Sequence, residues 1–190
     1  MTLRVLGIPG SLRAGSFNRA LLRAAVELAP AGMEITIFDG LGAVPLYDAD
    51  VEAKGDPAPV AALKTAIREA GALLIATPEY NYSVPGVLKN AIDWASRPPG
   101  KSVLNGKPAA ILGASPGGTG TARAQLALRQ SFVFTDTPTV LRPEVLVPRA
   151  HEKIDAQGRL TDEPTRQSIR KLLEALVQWE ARLRPGAAPA

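Results

Sequence analysis

The chain contains no cysteine, and this absence excludes several kinds of chemistry at once. A protein without thiols has no disulfide framework, no thiolate nucleophile, no cysteine-ligated iron–sulfur cluster and no zinc ribbon. His151 is the single histidine of the sequence, which argues against a metal site built from several imidazoles. We therefore expect no bound metal, and any catalytic chemistry has to come from other groups.

The sequence also lacks a dense block of basic residues and a long apolar run. Its 22 Lys and Arg residues stand against 18 Asp and Glu residues, a net charge of +4, and they are spread along the chain. Nucleic-acid-binding proteins usually concentrate such charge on one face or in a tail, so we expect no nucleic-acid partner. No stretch reaches the roughly 18 apolar residues of a membrane span, so we expect no membrane partner either.

The composition is typical of one globular domain. Of the 190 residues, 46% are hydrophobic and 21% are charged. A chain of this length forms one domain with a sizeable core more readily than two domains. We expect a single domain over residues 1–184 and a frayed tail over residues 185–190. The first residues enter an apolar run directly, without the layout of a signal peptide, which favours a cytoplasmic protein.

Short, largely apolar runs alternate with segments of helical periodicity along the chain. The strand-like runs are 3–8, 33–38, 72–76, 109–113 and 139–147. The helical segments are 18–28, 60–70, 86–95, 121–134 and a last helix with Thr161 as its predicted N-cap, and residues 39–57 are predicted to form a loop. The alternation indicates a parallel sheet covered by helices on both faces. We predict an α/β protein with a flavodoxin-like, doubly wound fold: five parallel strands in three α/β/α layers.

Ligands of such sheets bind at the carboxyl ends of the strands, near the point where the strand order reverses. This rule selects the loops that follow three of the predicted strands, at residues 9–17, 77–84 and 114–120. We therefore expect the functional residues to lie in these loops.

The first of these loops carries polar groups that suit an anion. Ser11, Ser16 and Asn18 offer hydroxyl and amide groups, and Arg13 adds a charge beside the free N–H groups of a helix start. A polar helix cap beside a solvated arginine is the alternative. Ser16 and Phe17 stand where a P-loop has Lys and Ser/Thr, and the loop lacks G-x-G-x-x-G, so neither nucleotide motif is present. A terminal monophosphate, as in FMN, fits this loop better.

The second loop combines aromatic, amide and acidic side chains between two prolines. Tyr80, Asn81 and Tyr82 suit a flat heteroaromatic ring, because tyrosine offers a ring face or edge and the backbone offers hydrogen bonds to a polar rim. Packing of the tyrosines in the core is the alternative. Glu79 is a candidate general acid, with a structural hydrogen bond or a subunit contact as equal alternatives.

The third loop matches the nucleophile-elbow motif G-x-S-x-G, with Ser115 as the serine. Asp136 and His151 follow in the chain order of a hydrolase triad, so a serine hydrolase is a minor alternative function. The oxyanion hole needs the backbone N–H of the residue after the serine, however, and Pro116 has none. A glycine-rich turn that lets a flat ligand approach the backbone fits this loop better.

Three longer segments, 10–18, 78–94 and 106–117, together resemble the NADPH-dependent FMN reductase family, most closely its chromate or quinone reductases and azoreductase-like members. The segment 78–94, PEYNYSVPGVLKNAIDW, is the most specific of the three. The resemblance implies a flavodoxin-like fold that binds FMN noncovalently. It also implies the residues that hold the phosphate end, the isoalloxazine ring and the other edge of that ring: Ser11, Arg13, Ser16, Phe17 and Asn18; Pro78, Glu79, Tyr80 and Asn81; and Ser115, Pro116, Gly117 and Gly118.

The activity implied by the resemblance is that of an NAD(P)H-dependent FMN reductase or quinone (chromate) reductase, with NADPH or NADH as the electron donor. Quinones, chromate, azo or nitro compounds and free flavin are the implied acceptors, reduced by a ping-pong mechanism. Because a bound flavin carries this chemistry, no catalytic side chain is expected. The resemblance further implies a homodimer or homotetramer. An electron carrier of the flavodoxin type, without NAD(P)H activity of its own, is the alternative.

Overall fold

The computed structural model describes residues 2–184, so the tail predicted at 185–190 lies outside the described residues. Within them, five strands form one sheet in which all neighbouring strands are parallel. The strands are β1 Leu3–Pro9, β2 Met33–Ile37, β3 Ala72–Ala76, β4 Ala109–Ala114 and β5 Val145–Val147. Their order across the sheet is β2-β1-β3-β4-β5, so the direction of strand addition reverses between β1 and β3. The predicted flavodoxin-like topology is confirmed.

Helices cover both faces of this sheet. They are α1 Phe17–Glu27, α2 Ala49–Glu52, α3 Ala58–Glu69, α4 Gly86–Ala95, α5 Ala122–Phe134 and α6 Glu163–Leu183. One hydrophobic cluster joins α1 and α6 to one face of the sheet, with Leu21 and Leu173 fully buried. A second cluster joins α3, α4 and α5 to the other face, with Leu63 and Trp94 fully buried. None of the described helices has both the length and the apolar composition that a membrane crossing requires.

The strand sequences explain the position of each strand. Every residue of β3 and of β4 is buried, as expected for central parallel strands that are covered on both faces. The edge strand β2 alternates instead, with Met33 and Ile35 buried and Glu34 and Thr36 exposed. The uncharged runs therefore occupy the centre of the sheet, and the alternating run occupies one edge.

The loop predicted at 39–57 is wrong in part, because this segment contains helical turns. Residues Leu41–Ala43 form a 3-10 helix, and α2 forms a single α-helical turn. The Asp48 carboxylate caps α2 by accepting the backbone N–H of Asp50 at 2.8 Å. Helices this short bury too few side chains to leave a periodic pattern in the sequence.

Two other predicted boundaries are corrected by the structure. The last strand covers only the end of the predicted segment 139–147, since Pro143 has no N–H for a ladder hydrogen bond. The last helix is capped by Asp162 and not by the predicted Thr161. The Asp162 carboxylate accepts the Thr165 N–H at 2.9 Å, and a carboxylate is a strong helix cap.

Candidate functional site

Three loops meet at the carboxyl edge of the sheet. They are the first loop, residues 10–16 after β1, the second loop, residues 77–85 after β3, and the third loop, residues 115–121 after β4. Backbone hydrogen bonds join the neighbouring chain segments here: Gly10 N–H donates to Ala76 O at 2.8 Å, and Thr77 N–H donates to Leu112 O at 3.0 Å. The structure therefore brings the loops selected from the sequence to one side of the molecule.

The first loop enters α1 through a serine cap. The Ser16 hydroxyl accepts the Arg19 N–H at 3.3 Å, and Ser16 itself is buried. The N–H groups of Phe17 and Asn18, in the first turn of the helix, have no intrahelical acceptor. Together with the positive end of the helix dipole, they give this turn the character of an anion site.

A second serine and an arginine shape the same loop. Ser11 is buried, and its hydroxyl accepts the Arg13 N–H at 3.3 Å. The Arg13 guanidinium lies over the Phe17 ring, with Cζ 5.0 Å from the ring centroid. Arg13 is exposed, so a cation–π contact holds its charge at the surface of the loop.

Asn18 has a different environment from the one expected of a phosphate ligand. Its side chain is buried, its Nδ2 donates to Ala114 O at 3.0 Å, and its Oδ1 accepts Ala114 N–H at 2.9 Å. Both polar ends of the amide are therefore engaged with the end of β4. The side chain of Asn18 therefore fixes the distance between the first and third loops. Its backbone N–H, in the first turn of α1, is the group of this residue that remains for an anion.

The second loop contains a tight hairpin. Tyr80 and Ser83 exchange backbone hydrogen bonds of 3.2 and 3.0 Å, and the two residues between them, Asn81 and Tyr82, both have positive φ. The Tyr80 hydroxyl lies 3.4 Å from Ser11 Oγ, which brings the second loop against the first. Tyr80 and Tyr82 are both exposed, so the alternative of core packing is wrong for both tyrosines.

Glu79 caps α5 from the second loop. Its Oε2 accepts the backbone N–H groups of Arg123 at 3.0 Å and Ala124 at 3.2 Å, and its Oε1 accepts the Arg123 Nε–H at 2.6 Å. Burial alone would raise the pKa of Glu79, but the hydrogen bonds from Arg123 and Ala124 outweigh burial and hold the pKa below its ordinary value. A carboxyl group held ionised in this way is a poor general acid. The structural hydrogen bond, one of the predicted alternatives, is the role that the geometry gives it.

Sequence reasoning assigned no role to Arg123, which joins the second loop to the third. Its guanidinium forms an ion pair with Glu79, donates to Thr119 Oγ1 at 3.2 Å and covers the Tyr82 ring. The Glu79 hydrogen bond and ion pair hold the pKa of Arg123 above its ordinary value. Nothing in the residues around Arg123 indicates a partner 44 residues earlier in the chain.

The glycines at the end of β4 and in the third loop fall into two groups. A Cβ on Gly113 or on Gly120 would collide with neighbouring atoms, at 1.9 Å from Thr121 Oγ1 and at 2.7 Å from Leu146 C, so the fold itself requires these two glycines. A Cβ on Gly118 would meet nothing within 4 Å, and its φ is not positive. Gly117 is similar, with its nearest contact at 3.5 Å. The fold does not require these two glycines, which leaves their backbone open to close approach by a ligand.

The arrangement of a hydrolase triad is absent from the described residues. The backbone carbonyl of Asp136 accepts the Gly106 N–H at 2.7 Å, close to the start of β4, whereas Ser115 follows the end of that strand. Asp136 therefore lies at the opposite edge of the sheet from Ser115. His151 is exposed, and Pro116 follows the serine, so the serine hydrolase alternative is wrong.

The site as a whole combines an anion-binding end, at the start of α1, with an open surface that is bordered by the polar groups of the second and third loops. Glu79 is the only acidic side chain in the three loops, and it is already ion-paired. The loops therefore supply no acid–base pair for a reaction of their own. Such a site suits a bound cofactor that carries the chemistry, with an anionic group at the start of α1.

Comparison with known proteins gives consistent matches over most of the chain. The family model described as NADPH-dependent FMN reductase matches residues 3–152. The chain is 55% identical over 182 residues to an NAD(P)H-dependent FMN reductase of Pseudomonas aeruginosa, which covers 96% of this chain and 97% of the relative. It is 42% identical over 179 residues to a 2-hydroxy-1,4-benzoquinone reductase of a Burkholderia species, covering 94% of this chain and 97% of the relative.

A solved structure shows the same likeness in three dimensions. The flavoenzyme NAD(P)H:(acceptor) oxidoreductase of Paracoccus denitrificans has a TM-score of 0.86 to this chain at 38% sequence identity. The match covers 95% of this chain and 98% of the other.

Proposed function

The chain belongs to the NADPH-dependent FMN reductase family, and on that premise we propose that it reduces quinones with electrons from NADPH or NADH, using FMN as its bound cofactor. It is an oxidoreductase of the flavoprotein class, as its relatives are. Chromate, azo or nitro compounds and free flavin are further acceptors under this proposal. The observation that carries it is the three-loop site at the carboxyl edge, between β1 and β3, where flavodoxin-like folds bind FMN.

The donor set at the start of α1 fits a phosphate monoester. The free N–H groups of Phe17 and Asn18, the Ser11 and Ser16 hydroxyls and the Arg13 guanidinium converge on one short segment. A dianionic phosphate is stabilised by such hydrogen bonds and by the helix dipole. We therefore assign the phosphate end of FMN to the first loop.

The second and third loops fit a flat ring. Pro78, Tyr80 and Asn81 supply apolar surface and backbone hydrogen-bonding groups on one side. Ser115, Pro116, Gly117 and Gly118 form the opposite edge, and the backbone of its two glycines is open. Glu79 and the Asn18 side chain hold the loops in place and do not themselves contact the ring under this assignment.

Bound FMN would supply the hydride-accepting and electron-donating chemistry, and the chain would supply binding and orientation. The loops hold the ring at an exposed edge of the sheet, so donor and acceptor reach the same side of the site. Sharing one side requires the oxidised nicotinamide to leave before the acceptor enters, which is a ping-pong mechanism. Because Glu79 is ion-paired, it does not serve as a proton donor to the quinone under this proposal.

The proposal is tested by whether the protein retains FMN and by whether NADPH or NADH bleaches the colour of the bound flavin. The purified protein, incubated with FMN and passed through a desalting column, should stay yellow. NADPH or NADH added without oxygen should bleach the yellow colour, and 1,4-benzoquinone should restore it. Loss of FMN on the column would contradict the cofactor assignment. Retained colour that neither nicotinamide bleaches would favour the alternative of an electron carrier.

A homo-oligomer is part of the same proposal. The outer face of α5 exposes Leu126, Val133 and Phe134, whose side chains are apolar. Apolar side chains grouped on one exposed helix face are typical of a subunit interface. Light scattering after size-exclusion chromatography should give a mass of two or four chains, and Val133→Asp should lower that mass. A single-chain mass for the unmodified protein would contradict this part of the proposal.

A further inference from the structure

Tyr82 has a backbone conformation that favours glycine. Its φ is +66° and the φ of Asn81 is +50°, so these two residues form the centre of the two-residue hairpin between Tyr80 and Ser83. Turns of this kind favour Asn-Gly, because glycine adopts positive φ without the steric cost that a bulky residue incurs. The chain has Asn at the first central position and an aromatic residue at the second. The hairpin alone would select glycine at position 82.

Burial does not account for this tyrosine. The residue is 70% exposed, so its ring adds little to the hydrophobic core. The guanidinium of Arg123 covers the ring, with its Cζ 3.5 Å from the ring centroid. A cation–π contact of this kind covers one face of the ring and leaves the other face open to solvent.

Arg123 is itself held in place. Its Nε donates to Glu79 Oε1 at 2.6 Å, and its Nη2 donates to Thr119 Oγ1 at 3.2 Å. The Glu79 side chain is only 6% exposed, so the carboxylate that anchors the guanidinium has little freedom to move. The guanidinium that covers the Tyr82 ring is therefore tied to Glu79 of the second loop and to Thr119 of the third loop, which are the two loops assigned to the flat ring of the cofactor.

We propose that Tyr82 is a specificity-determining residue for flat, ring-shaped electron acceptors such as quinones, and that Arg123 is a positioning residue that covers one face of the Tyr82 ring and leaves the other face exposed. This inference rests on the proposed function. The Glu79 carboxylate neutralises the Arg123 guanidinium, so the open side presents a ring face and little net charge. Flat rings stack on such a face, whereas compact inorganic anions gain nothing from it. Acceptor flatness, and not acceptor charge, is what Tyr82 selects.

The test compares two acceptors with the FMN-loaded protein. 1,4-Benzoquinone is a flat conjugated ring, and ferricyanide has no ring that can stack. Tyr82→Gly removes the ring and leaves the preferred Asn-Gly turn, so the hairpin itself is retained. We expect the ratio of kcat/KM for benzoquinone to that for ferricyanide to fall about tenfold, through a higher KM for benzoquinone, which is the upper range of one aromatic stacking contact.

Conservative variants test the Tyr82 ring and the Arg123 guanidinium separately. Tyr82→Phe keeps the ring, and we expect the acceptor ratio to stay within about twofold of the unmodified value, since stacking needs the ring face and not the hydroxyl. Arg123→Lys keeps the charge but loses the planar group that covers the ring, so the ratio should lie between those of the unmodified protein and Tyr82→Gly. Leu141→Ala removes an exposed apolar side chain outside the three loops and serves as the matched control.

A binding measurement gives a readout that does not depend on turnover. The dissociation constant of hydroquinone with the oxidised, FMN-loaded protein, measured by calorimetry, should rise about tenfold in Tyr82→Gly and stay unchanged in Leu141→Ala. An unchanged acceptor ratio in Tyr82→Gly, an equal loss for both acceptors, or a shift that appears only when the oligomer dissociates would each overturn the inference. Failure of NADPH and NADH to bleach the unmodified protein would instead overturn the proposed function, so the two failures are distinct.

Discussion

The side-chain amide of Asn18 pairs with both backbone polar groups of Ala114, across a separation of 96 residues. The pairing joins the start of α1 to the end of β4, on opposite sides of the strand that carries the second loop. One buried side chain therefore sets the distance between the loop assigned to the phosphate and the loop assigned to the edge of the ring.

Asn18→Leu should destabilise the fold because it leaves both backbone groups of Ala114 buried without partners. Each such group costs about 1–3 kcal/mol, so we expect the free energy of unfolding to fall by about 3 kcal/mol. Urea denaturation followed by circular dichroism measures this change. Asn105→Leu is the control, because Asn105 is exposed and should change stability by no more than about 0.5 kcal/mol. Equal effects of the two variants would contradict the role of Asn18.

Arg13→Ala should weaken FMN binding without weakening the fold. The guanidinium is exposed, and a charge-assisted hydrogen bond to phosphate contributes about 10- to 100-fold in affinity. Quenching of flavin fluorescence on titration of the apoprotein measures the dissociation constant. Arg19→Ala removes an arginine in the first turn of α1 whose guanidinium is already paired with Asp39; it is the matched control and should change the affinity much less. Unchanged affinity in Arg13→Ala would remove this residue from the phosphate site.

Gly118→Ala and Gly120→Ala should separate ligand binding from folding. A Cβ on Gly118 meets open space, so the variant should keep its stability within about 0.5 kcal/mol and bind FMN several-fold more weakly. Gly120 has a φ of +56°, and its Cβ would lie 2.7 Å from backbone atoms of β5, so Gly120→Ala should lose about 2 kcal/mol or more of stability. Thermal unfolding without FMN, together with flavin titration, checks both outcomes. Full FMN affinity in Gly118→Ala would place the ring elsewhere.

Glu79 should make the stability of the protein depend on pH in the acid range. Its pKa is lower in the folded chain than the value of about 4.3 in an unfolded chain. The ionised carboxylate therefore contributes its full stabilisation above about pH 5 and loses it as the pH falls through the folded pKa. In Glu79→Gln we expect a loss of about 1–2 kcal/mol at pH 7, from weakened hydrogen bonds to Arg123, and a smaller difference from the unmodified protein at pH 3.

Urea denaturation at both pH values measures this dependence. Glu34→Gln is the matched control, since Glu34 is an exposed residue of β2 that makes no ion pair within residues 2–184. A difference between Glu79→Gln and the unmodified protein that is the same at pH 3 and pH 7 would show that the carboxylate charge is not what stabilises α5.

The sequence predicted the framework of this site well, because that framework depends on local pattern. The strand 72–76 and the helix 86–95 have the predicted bounds, since both are uniform apolar or strongly periodic segments with proline at or near their ends. The rule that parallel sheets bind ligands at their carboxyl edge then selected the loops that the structure brings together. The prediction of a loop over residues 39–57 was wrong in part, because the short helices of this segment bury almost no side chains and so leave no periodic pattern in the sequence.

The partners within the site could not be predicted in the same way. Asn18 has the residue type of a phosphate ligand, and only the three-dimensional fold brings Ala114 against its side chain. Glu79 has the residue type of a general acid, and only the fold brings the start of α5 to it. In each case the residue type indicated which chemistry the side chain can perform. It did not indicate which groups of a distant segment would form hydrogen bonds with that side chain.

The capping of α5 by Glu79 also has a consequence for the local stability of the first turn of this helix. Thr121 has a left-handed backbone and no side-chain cap hydrogen bond, so the first turn of this helix relies on a carboxylate from the preceding unit of the chain. In the folded chain, the pairing of β3 with β4 brings this carboxylate to the start of α5, so the cap depends on contacts between segments distant in sequence. The amide hydrogens of Arg123 and Ala124 should therefore exchange with solvent through local openings of the second loop. The middle of α5 should stay protected through those openings.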